Sequence, residues 1–194
     1  MLRLSLALSL VAAATASAQS PIVGLWDFDE TSGLTANDMG PNANTGTLIN
    51  FTNDPAQWTP GVRGNALTFD GVDDYVDVAQ NGGLPVYQGD GSPFSVCFWV
   101  KAPATDDDRV YSEGESTSNT PLWTIGTGRT SLGNGDKLQV FARNDDNQNL
   151  SRYSDSIVFD GTWHHIAYVE TSGRARLYVD GVLEGATVTV VGGN

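Results

Sequence analysis

Two strand patterns in the last third of the sequence constrain the fold of this 194-residue chain more than any other feature. The runs Trp163–Glu170 and Arg174–Val179 are rich in β-branched and aromatic residues, and turn signals that contain glycine bound both runs. Because side chains alternate along a strand, the apolar alternate residues of the later run form one face. Asp180-Gly181 then predicts a two-residue type I′ turn into another strand. The pattern therefore indicates an antiparallel β-meander.

Short strand patterns recur along the rest of the chain, and Gly, Asn, Asp and Pro fill the gaps between them. No segment of useful length has the periodicity of an amphipathic helix. Many short strands separated by such turns predict an all-β sandwich or barrel. The further predicted strands are Ile22–Phe28, Ala66–Phe69, Tyr75–Val78, Phe94–Lys101, Leu122–Ile125, Lys137–Arg143, Ser156–Phe159 and Thr187–Val191.

The first eighteen residues have the three-part pattern of a secretory signal peptide. Arg3 carries the single positive charge, Leu4–Ala14 is apolar, and Ala16-Ser17-Ala18 offers a cleavage site of small residues. The apolar run is too short to span a bilayer comfortably. We therefore expect residues 1–18 to be a signal peptide that is removed at that site, and residues 19–194 to form one secreted or cell-surface domain.

The chain is acidic, with 23 Asp and Glu against 10 Lys and Arg and a formal net charge of −13 at pH 7. A face that binds nucleic acid needs clustered Lys and Arg, and the sequence has no such cluster. No further segment is apolar enough for the mature chain to insert into a membrane. The single cysteine, Cys97, excludes an internal disulfide, and its apolar neighbours predict a buried side chain.

Five groups of short motifs occur in an order that is typical of one protein family. They are Gly24–Glu30, Asp38–Gly40 with Gly46–Leu48, Gly64–Val76, Phe94–Lys101 and Trp163–Gly181. In these motifs, residues 22 to about 190 resemble the laminin G-like domains of the concanavalin A-like lectin/glucanase superfamily. The resemblance implies a jelly-roll sandwich of two antiparallel sheets, in agreement with the strand pattern.

The sequence departs from this family at its C-terminal end. Domains of the family continue past the hairpin with a strand that carries an Ile-Gly pair and with a segment that closes the sandwich, whereas this sequence stops at Gly192-Gly193-Asn194. We therefore expect a C-terminally incomplete jelly roll that lacks its closing strands and is part of a longer polypeptide.

The sequence offers no arrangement of catalytic residues, so we expect a protein that is not an enzyme. The glucanase branch of the superfamily uses a Glu-x-Asp-x-x-Glu strand, and the sequence lacks this spacing. The nearest carboxylate pair, Glu113 and Glu115, lies in a Ser/Thr/Asn-rich stretch that is typical of a solvated loop. His164 and His165 are neighbours in a predicted strand and point to opposite faces, so they cannot serve one substrate or metal together.

Ca²⁺ is the cofactor that the acidic loops favour, because this ion prefers carboxylate, carbonyl and amide oxygens. The segment around Asp136 resembles the calcium-binding segment of the related pentraxins, although Lys137 stands where that family has an amide. Asp38 is a second candidate, by resemblance to a structural calcium site in several jelly-roll modules. A carboxylate that caps a turn is the alternative at both positions. Asp73 and Asp74, as adjacent strand residues, are predicted to diverge.

Four aromatic residues in or beside predicted loops are candidates for carbohydrate binding, because sugar recognition needs exposed rings beside hydrogen-bonding groups. They are Trp58, Tyr87, Tyr111 and Trp123. Trp26, Trp99 and Trp163 lie within or at the start of predicted strands and are assigned to the core. For each loop candidate, a place in the core is the alternative.

Together these features predict a secreted, non-catalytic recognition module. It binds glycan or extracellular protein through loops at one edge of the sandwich, with assistance from Ca²⁺. Two alternatives stay open: the domain is a structural or adhesive spacer in a larger surface protein, or it is the targeting module of a secreted glycoside hydrolase. The superfamily serves many functions, so the resemblance alone does not choose between them.

Overall fold

A computed structural model of the chain describes residues 22–52, 55–78, 93–114, 122–144, 146 and 148–189. These residues form thirteen β-strands and two short 3₁₀ turns, Pro55–Gln57 and Thr130–Leu132. The strands are β1 (Thr35–Ala36), β2 (Gly46–Ile49), β3 (Trp58–Pro60), β4 (Asn65–Leu67), β5 (Tyr75–Asp77), β6 (Phe94–Val100), β7 (Arg109–Gly114), β8 (Leu122–Thr127), β9 (Lys137–Arg143), β10 (Asn149–Ile157), β11 (His164–Thr171), β12 (Arg174–Val179) and β13 (Val182–Thr189). The described residues contain no helix with the length and apolar character of a membrane span.

Two four-stranded antiparallel sheets pack into a jelly-roll sandwich, as predicted. One sheet has the strand order β10-β9-β8-β7, and the other has the order β13-β12-β11-β6. Both sheets contribute to one apolar core, because alternate residues of their strands point inward. The largest fully buried apolar and aromatic side chains are Trp123, Tyr168, Phe159, Ile125, Leu138, Ile166 and Leu177.

The predicted β-meander is present in strands β11, β12 and β13. Strand β12 has the predicted bounds, and its apolar alternate residues are buried in the core. At the turn into β13, Asp180 and Gly181 have φ angles of 50° and 80°, the positive values that a type I′ turn requires. Val179 pairs directly with Val182 across the turn. The alternation and the turn predicted for this region are therefore confirmed.

A second, smaller core lies in the N-terminal part of the described chain. Its strands form a three-stranded sheet of order β1-β2-β5 and the β3-β4 pair. Ala36, Leu48, Phe51 and Trp58 are buried in this core. Because β3 pairs with β4 and β2 pairs with β5, the connection between β4 and β5 at residues 68–74 is held at both ends.

Several predictions of local structure differ from the fold. The predicted strand Ser156–Phe159 overlaps the end of a longer strand, β10, that begins at Asn149 and ends at Ile157. Ile22–Phe28 is not a strand, and its backbone bonds to a later loop instead, where the N–H of Leu25 donates to Asp38 Oδ1 at 2.8 Å. Arg109–Gly114 forms β7, although Glu113 was expected in a loop. Strand β7 is polar in sequence, but it pairs along its length with β8, and this pairing decides its structure.

The outer face of β6 carries two residues that were predicted to be buried. Cys97 is exposed and Trp99 is 51% exposed, so both predictions are wrong. The alternate residues, which include Phe94 and Phe98, pack against the core instead. Both faces of this strand are apolar, so the sequence pattern did not show which face points inward. Within the described residues, β6 is an edge strand of its sheet.

Candidate functional site

Three segments of the N-terminal part form a cleft with a volume of about 260 Å³, which we call the β4–β5 cleft. They are the residues after β2, the first 3₁₀ turn and the connection between β4 and β5. The cleft combines aromatic rings with amides, hydroxyls and carboxylates, the mixture that orients a small polar ligand. Its lining includes Phe51, Gln57, Thr68, Phe69, Asp70 and Asp74.

An exposed phenylalanine forms part of the lining of the β4–β5 cleft. Phe69 is 47% exposed, and its ring contacts the ring of Phe51 edge to face, with 5.4 Å between centroids and 63° between planes. Phe51 belongs to the smaller core, so its contact fixes the position of the exposed Phe69 ring. The cleft therefore has a positioned apolar surface that solvent can reach.

Gln57 provides a buried hydrogen-bond acceptor in the same cleft. The residue is only 8% exposed, and its side-chain Nε2 donates to the carbonyl oxygen of Gly33 at 2.8 Å. Its backbone carbonyl accepts from the N–H of Thr68 at 2.8 Å, which ties the 3₁₀ turn to the β4–β5 connection. Within the described part of the chain, Gln57 Oε1 has no hydrogen-bond partner.

Three carboxylates cluster on the turn between β4 and β5, and we call Asp70, Asp73 and Asp74 the acidic turn. Each offers one oxygen within 4.8 Å of the others. Asp70 Oδ1 accepts from the N–H groups of Val72 at 2.8 Å and Asp73 at 3.3 Å, and Asp74 Oδ2 accepts from the N–H of Asp70 at 2.9 Å. The expected divergence of Asp73 and Asp74 is wrong, because both precede the strand.

Backbone hydrogen bonds also set the ionisation of Asp70. The N–H of Val72 is the largest cause that lowers the pKa of Asp70, and slight burial of the carboxyl acts in the opposite direction. Further backbone hydrogen bonds on the same turn lower this pKa as well. Asp70 is therefore a carboxylate at neutral pH, one with the hard oxygen donors that Ca²⁺ prefers.

Asp38, a predicted calcium ligand, binds backbone amides. Its Oδ1 accepts from the N–H groups of Leu25 at 2.8 Å and Gly40 at 2.7 Å, and its Oδ2 accepts from the N–H of Asn44 at 2.8 Å. Burial raises the pKa of Asp38, but the three hydrogen bonds outweigh it and the net shift is downward. This is the turn-capping arrangement that was the alternative at this position. Calcium ligation by Asp38 stays a prediction.

Asp136, the other predicted calcium ligand, lies in the turn before β9. Its backbone carbonyl accepts from the N–H groups of Val158 at 2.9 Å and Phe159 at 3.0 Å, so the residue helps to fix the start of this strand. Among the described residues, its carboxylate does not join a group of three or more metal-ligand side chains. Calcium ligation by Asp136 stays a prediction as well.

Two of the predicted carbohydrate-binding residues lie in the cores. Trp58 is 7% exposed in the smaller core, and its Nε1 donates to the carbonyl oxygen of Gly33 at 3.3 Å. Trp123 is 0% exposed in the main core. Both were candidates beside predicted loops, with a place in the core as the alternative, and the core is where they lie, because each indole fills space between packed strands. Neither ring presents a face to a sugar.

The other two predicted residues have different outcomes. Tyr111 is half-buried on β7, where its hydroxyl donates to Glu113 Oε1 at 2.5 Å and its ring packs against Trp123. Burial is the largest cause that raises the pKa of Tyr111, and the charge of Glu113 adds to it.

Tyr87 and Glu115 lie outside the described residues. Phe69, the exposed ring of the cleft, was missed because it ends a predicted strand and resembles a core residue.

His164 lies between two carboxylates at one end of the β13-β12-β11-β6 sheet. Its Nδ1 is 2.8 Å from Asp180 Oδ2, and its Nε2 is 3.3 Å from Asp160 Oδ1. The hydrogen bond to Asp180 is the largest cause that raises the pKa of His164, burial lowers it, and Asp160 raises it further. His165 instead packs its ring against Trp99, with 5.2 Å between centroids. The two histidines therefore serve opposite faces of the sheet, as predicted.

The ionisation of His164, Asp160 and Asp180 predicts that the folding stability is highest at mildly acidic pH. It falls at higher and at lower pH. The pKa of His164 is raised above 6.5, so its contribution is complete below pH 6.5 and is lost as the pH rises through the folded-state pKa. The pKa values of Asp160 and Asp180 are lowered from 3.8, chiefly by hydrogen bonds from Thr162 and His165. Their contribution is lost as the pH falls through those lowered values.

We therefore expect the melting temperature to be about 2–4 °C lower near pH 9 than near pH 6, and His164→Asn to remove most of this difference. Scanning fluorimetry across this pH range measures it. His165→Asn is the matched control, because it keeps the backbone N–H that binds Asp180. Equal pH dependence in the wild type and in His164→Asn would contradict the assignment.

The comparisons with known proteins gave one family match. A model for laminin G-like domains, Laminin_G_3, described as the Concanavalin A-like lectin/glucanases superfamily, matches residues 70–193. The matched segment covers more than half of the chain, begins at the acidic turn and includes every strand of the sandwich. The comparison with curated proteins found no match to this chain.

Proposed function

Because this chain belongs to the Concanavalin A-like lectin/glucanases superfamily, we propose that it is a secreted, non-catalytic recognition module that binds a glycan in the β4–β5 cleft. The family supports a carbohydrate- or protein-binding module in general. The composition of the cleft favours a carbohydrate over a protein, and the signal-peptide pattern of residues 1–18 supports secretion.

The observation that carries this proposal is the exposed ring of Phe69 beside hydrogen-bonding groups. Sugars present apolar C–H faces together with hydroxyl groups, so a binding site needs a ring and several polar partners in one place. The ring lies in the same cleft as the carboxylates of Asp70 and Asp74 and the buried Gln57. The volume of about 260 Å³ suits one sugar unit of a larger glycan.

The ionisation of Asp70 supports a non-catalytic role for this carboxyl group. A glycoside hydrolase needs one carboxylic acid that keeps its proton near neutral pH, and such acids have raised pKa values. The pKa of Asp70 is lowered instead, because backbone N–H groups stabilise its charged form. The Asp70 carboxylate is thus suited to accept hydrogen bonds or to bind a cation. The frequent binding of Ca²⁺ in this family supports calcium assistance here.

Phe69→Ala tests the proposal, and we expect it to weaken glycan binding about five- to thirtyfold, since a stacking ring contributes on the order of 1–2 kcal/mol. A glycan array in calcium-containing buffer identifies the ligand, and titration calorimetry then compares the variants. Phe69→Tyr keeps the ring and should retain binding. Trp99→Ala removes an exposed ring outside the cleft and should bind like the wild type.

Two results would contradict this function. If Phe69→Ala binds its glycan as tightly as the wild type, then the glycan site lies elsewhere on the domain. If the folded wild-type protein binds no glycan of a broad array, the structural or adhesive spacer becomes the better account of the domain.

A further inference from the structure

We propose that two copies of this chain associate through strand β6, whose free edge pairs with the same edge of a second copy in antiparallel orientation. The four-stranded sheets of the two copies then join into one continuous sheet across a two-fold axis. This inference goes beyond the proposed function, because β6 carries no residue of the β4–β5 cleft. It can be tested without a glycan.

One edge of β6 has no strand beside it within the described part of the chain. The other edge pairs with β11 along all seven residues of the strand, from Phe94 to Val100, without a shift of register. Backbone N–H and C=O groups alternate in direction along a strand, so those that point to the free edge have no partner strand. A long, regular edge of this kind is a template for pairing with another chain.

The other outer strands of the two sheets, β7, β10 and β13, carry features that protect a sheet edge. Each of them has an irregular register with its neighbour. Strand β7 also contains Arg109 and Glu113, and β10 contains Arg152. Strand β13 contains the buried carboxylate of Glu184. Bulges and charges oppose pairing with another chain. Because β6 has no charged residue, proline or glycine, it is the unprotected edge among the described strands of the sandwich.

The inner side chains of β6 show that the main core is incompletely covered at this edge. The apolar residues at alternate positions of β6, from Phe94 to Val100, pack against the core but are only partly buried. On the neighbouring strand β11, the inner residues Ile166 and Tyr168 are 0% and 2% exposed. A further strand beside β6 would remove apolar surface from water, so closure of this edge is favourable.

The sequence of β6 fits pairing with a second copy of itself. Directly opposite residues of paired strands point to the same face, so the two-fold axis must pass through a residue and not between two residues. An axis through Cys97 is the register that pairs all seven residues of the strand. On the inner face, Phe94 then lies opposite Val100 of the second copy, and Val96 lies opposite its Phe98. Apolar side chains therefore meet apolar side chains, and no like charges face each other although each chain has a formal net charge of −13.

The exposed thiol of Cys97 can report on this register. Directly opposite residues of antiparallel strands have Cα atoms about 4.5–5.5 Å apart. This separation lies within the span of about 4.4–6.8 Å that a disulfide bridges. Diamide oxidises two thiols to a disulfide and takes up their two hydrogens, so it should cross-link the two copies at Cys97. The thiol measures the pairing and is not required for it.

The test is sedimentation velocity of the purified chain at about 1–100 μM, with a reducing agent and about 0.15 M salt to screen the net charge. We expect a reversible dimer. Cys97→Lys places two like charges directly opposite each other and should raise the Kd of the dimer about fivefold. This substitution makes the net charge less negative, so general repulsion between the chains cannot cause the loss.

Two control variants accompany this measurement. Cys97→Ser should keep the wild-type Kd and should lose the cross-link. Val182→Lys introduces the same charge at an exposed position of β13, the opposite edge of the sheet, and should also keep the wild-type Kd. Melting temperatures of all variants check that they fold.

The outcomes separate this inference from the proposed function. A dimer that Cys97→Lys weakens, that Val182→Lys leaves unchanged and that diamide cross-links supports the pairing of β6, even if no glycan is found. Phe69→Ala should not change its Kd. A chain that is monomeric at about 100 μM overturns the proposal. A dimer that Cys97→Lys does not weaken, or that diamide does not cross-link, also overturns it, because its interface is not β6 centred on Cys97.

Discussion

Replacing Trp123 with alanine is expected to lower the free energy of unfolding by about 3–5 kcal/mol, the largest loss that we predict for a single substitution in this protein. The indole is fully buried between the two sheets. It packs against the rings of Phe94, Tyr111 and Tyr168, with centroids 5.3–5.8 Å away. Alanine would leave a cavity where these three rings meet. Urea denaturation followed by circular dichroism measures the loss.

The control for this experiment is Trp99→Ala. Trp99 has the same side chain, but it is about half exposed on the outer face of β6, so the loss should stay below about 1 kcal/mol. If Trp123→Ala does not fold, Trp123→Phe keeps most of the ring and should still lose more stability than Trp99→Ala. Equal losses for the two tryptophans would contradict the assignment of Trp123 to the core.

Glu184→Ala should cost about 2–4 kcal/mol, because the carboxylate is buried and its removal leaves three donors of β10 without their acceptor. Glu184 Oε2 accepts from the N–H groups of Asp155 at 2.6 Å and Ser156 at 2.9 Å, and Oε1 accepts from Ser156 Oγ at 2.8 Å. These bonds join β13 of one sheet to β10 of the other. Urea denaturation measures the total loss, and amide hydrogen exchange at Asp155 and Ser156 shows where it acts.

Two further substitutions define the role of this carboxylate. Thr189→Ala lies on the same strand at an exposed position and should change stability by less than about 0.5 kcal/mol. Glu184→Gln keeps one acceptor oxygen and should show an intermediate loss. If exchange at Asp155 and Ser156 is unchanged in Glu184→Ala, the carboxylate does not link the two sheets.

The sandwich was predictable because residues within and next to each strand mark the strand in the sequence. Strands β9 and β12 have the predicted bounds, since alternation and flanking turn residues both mark them. The tryptophans were harder to assign. Trp99 lies on a strand with two apolar faces, whereas Trp123 follows a stretch that reads as loop. Which ring is buried depends on the sheet packed opposite, and a single strand pattern does not contain that information.

The cleft was not predictable, because it joins segments that only tertiary structure brings together. Phe51, Gln57 and Phe69 come from three separate elements, and no short motif connects them. The acidic turn carried a usable signal. An Asp-Gly pair followed by two more Asp residues favours a turn in which side chains bind the backbone, and such a turn gathers carboxylates. Treating Asp73 and Asp74 as strand residues hid this possibility.

The exposed position of Cys97 gives the protein a spectroscopic handle that requires no substitution. It is the only thiol in the sequence and lies on the outer face of β6. A maleimide fluorophore would therefore attach at one site and alter no residue that lines the cleft. Trp99 lies two residues away on the same face, within reach as a quencher of the dye. The fluorescence anisotropy and the quenching of this single label would report whether the chain associates with further copies of itself in solution.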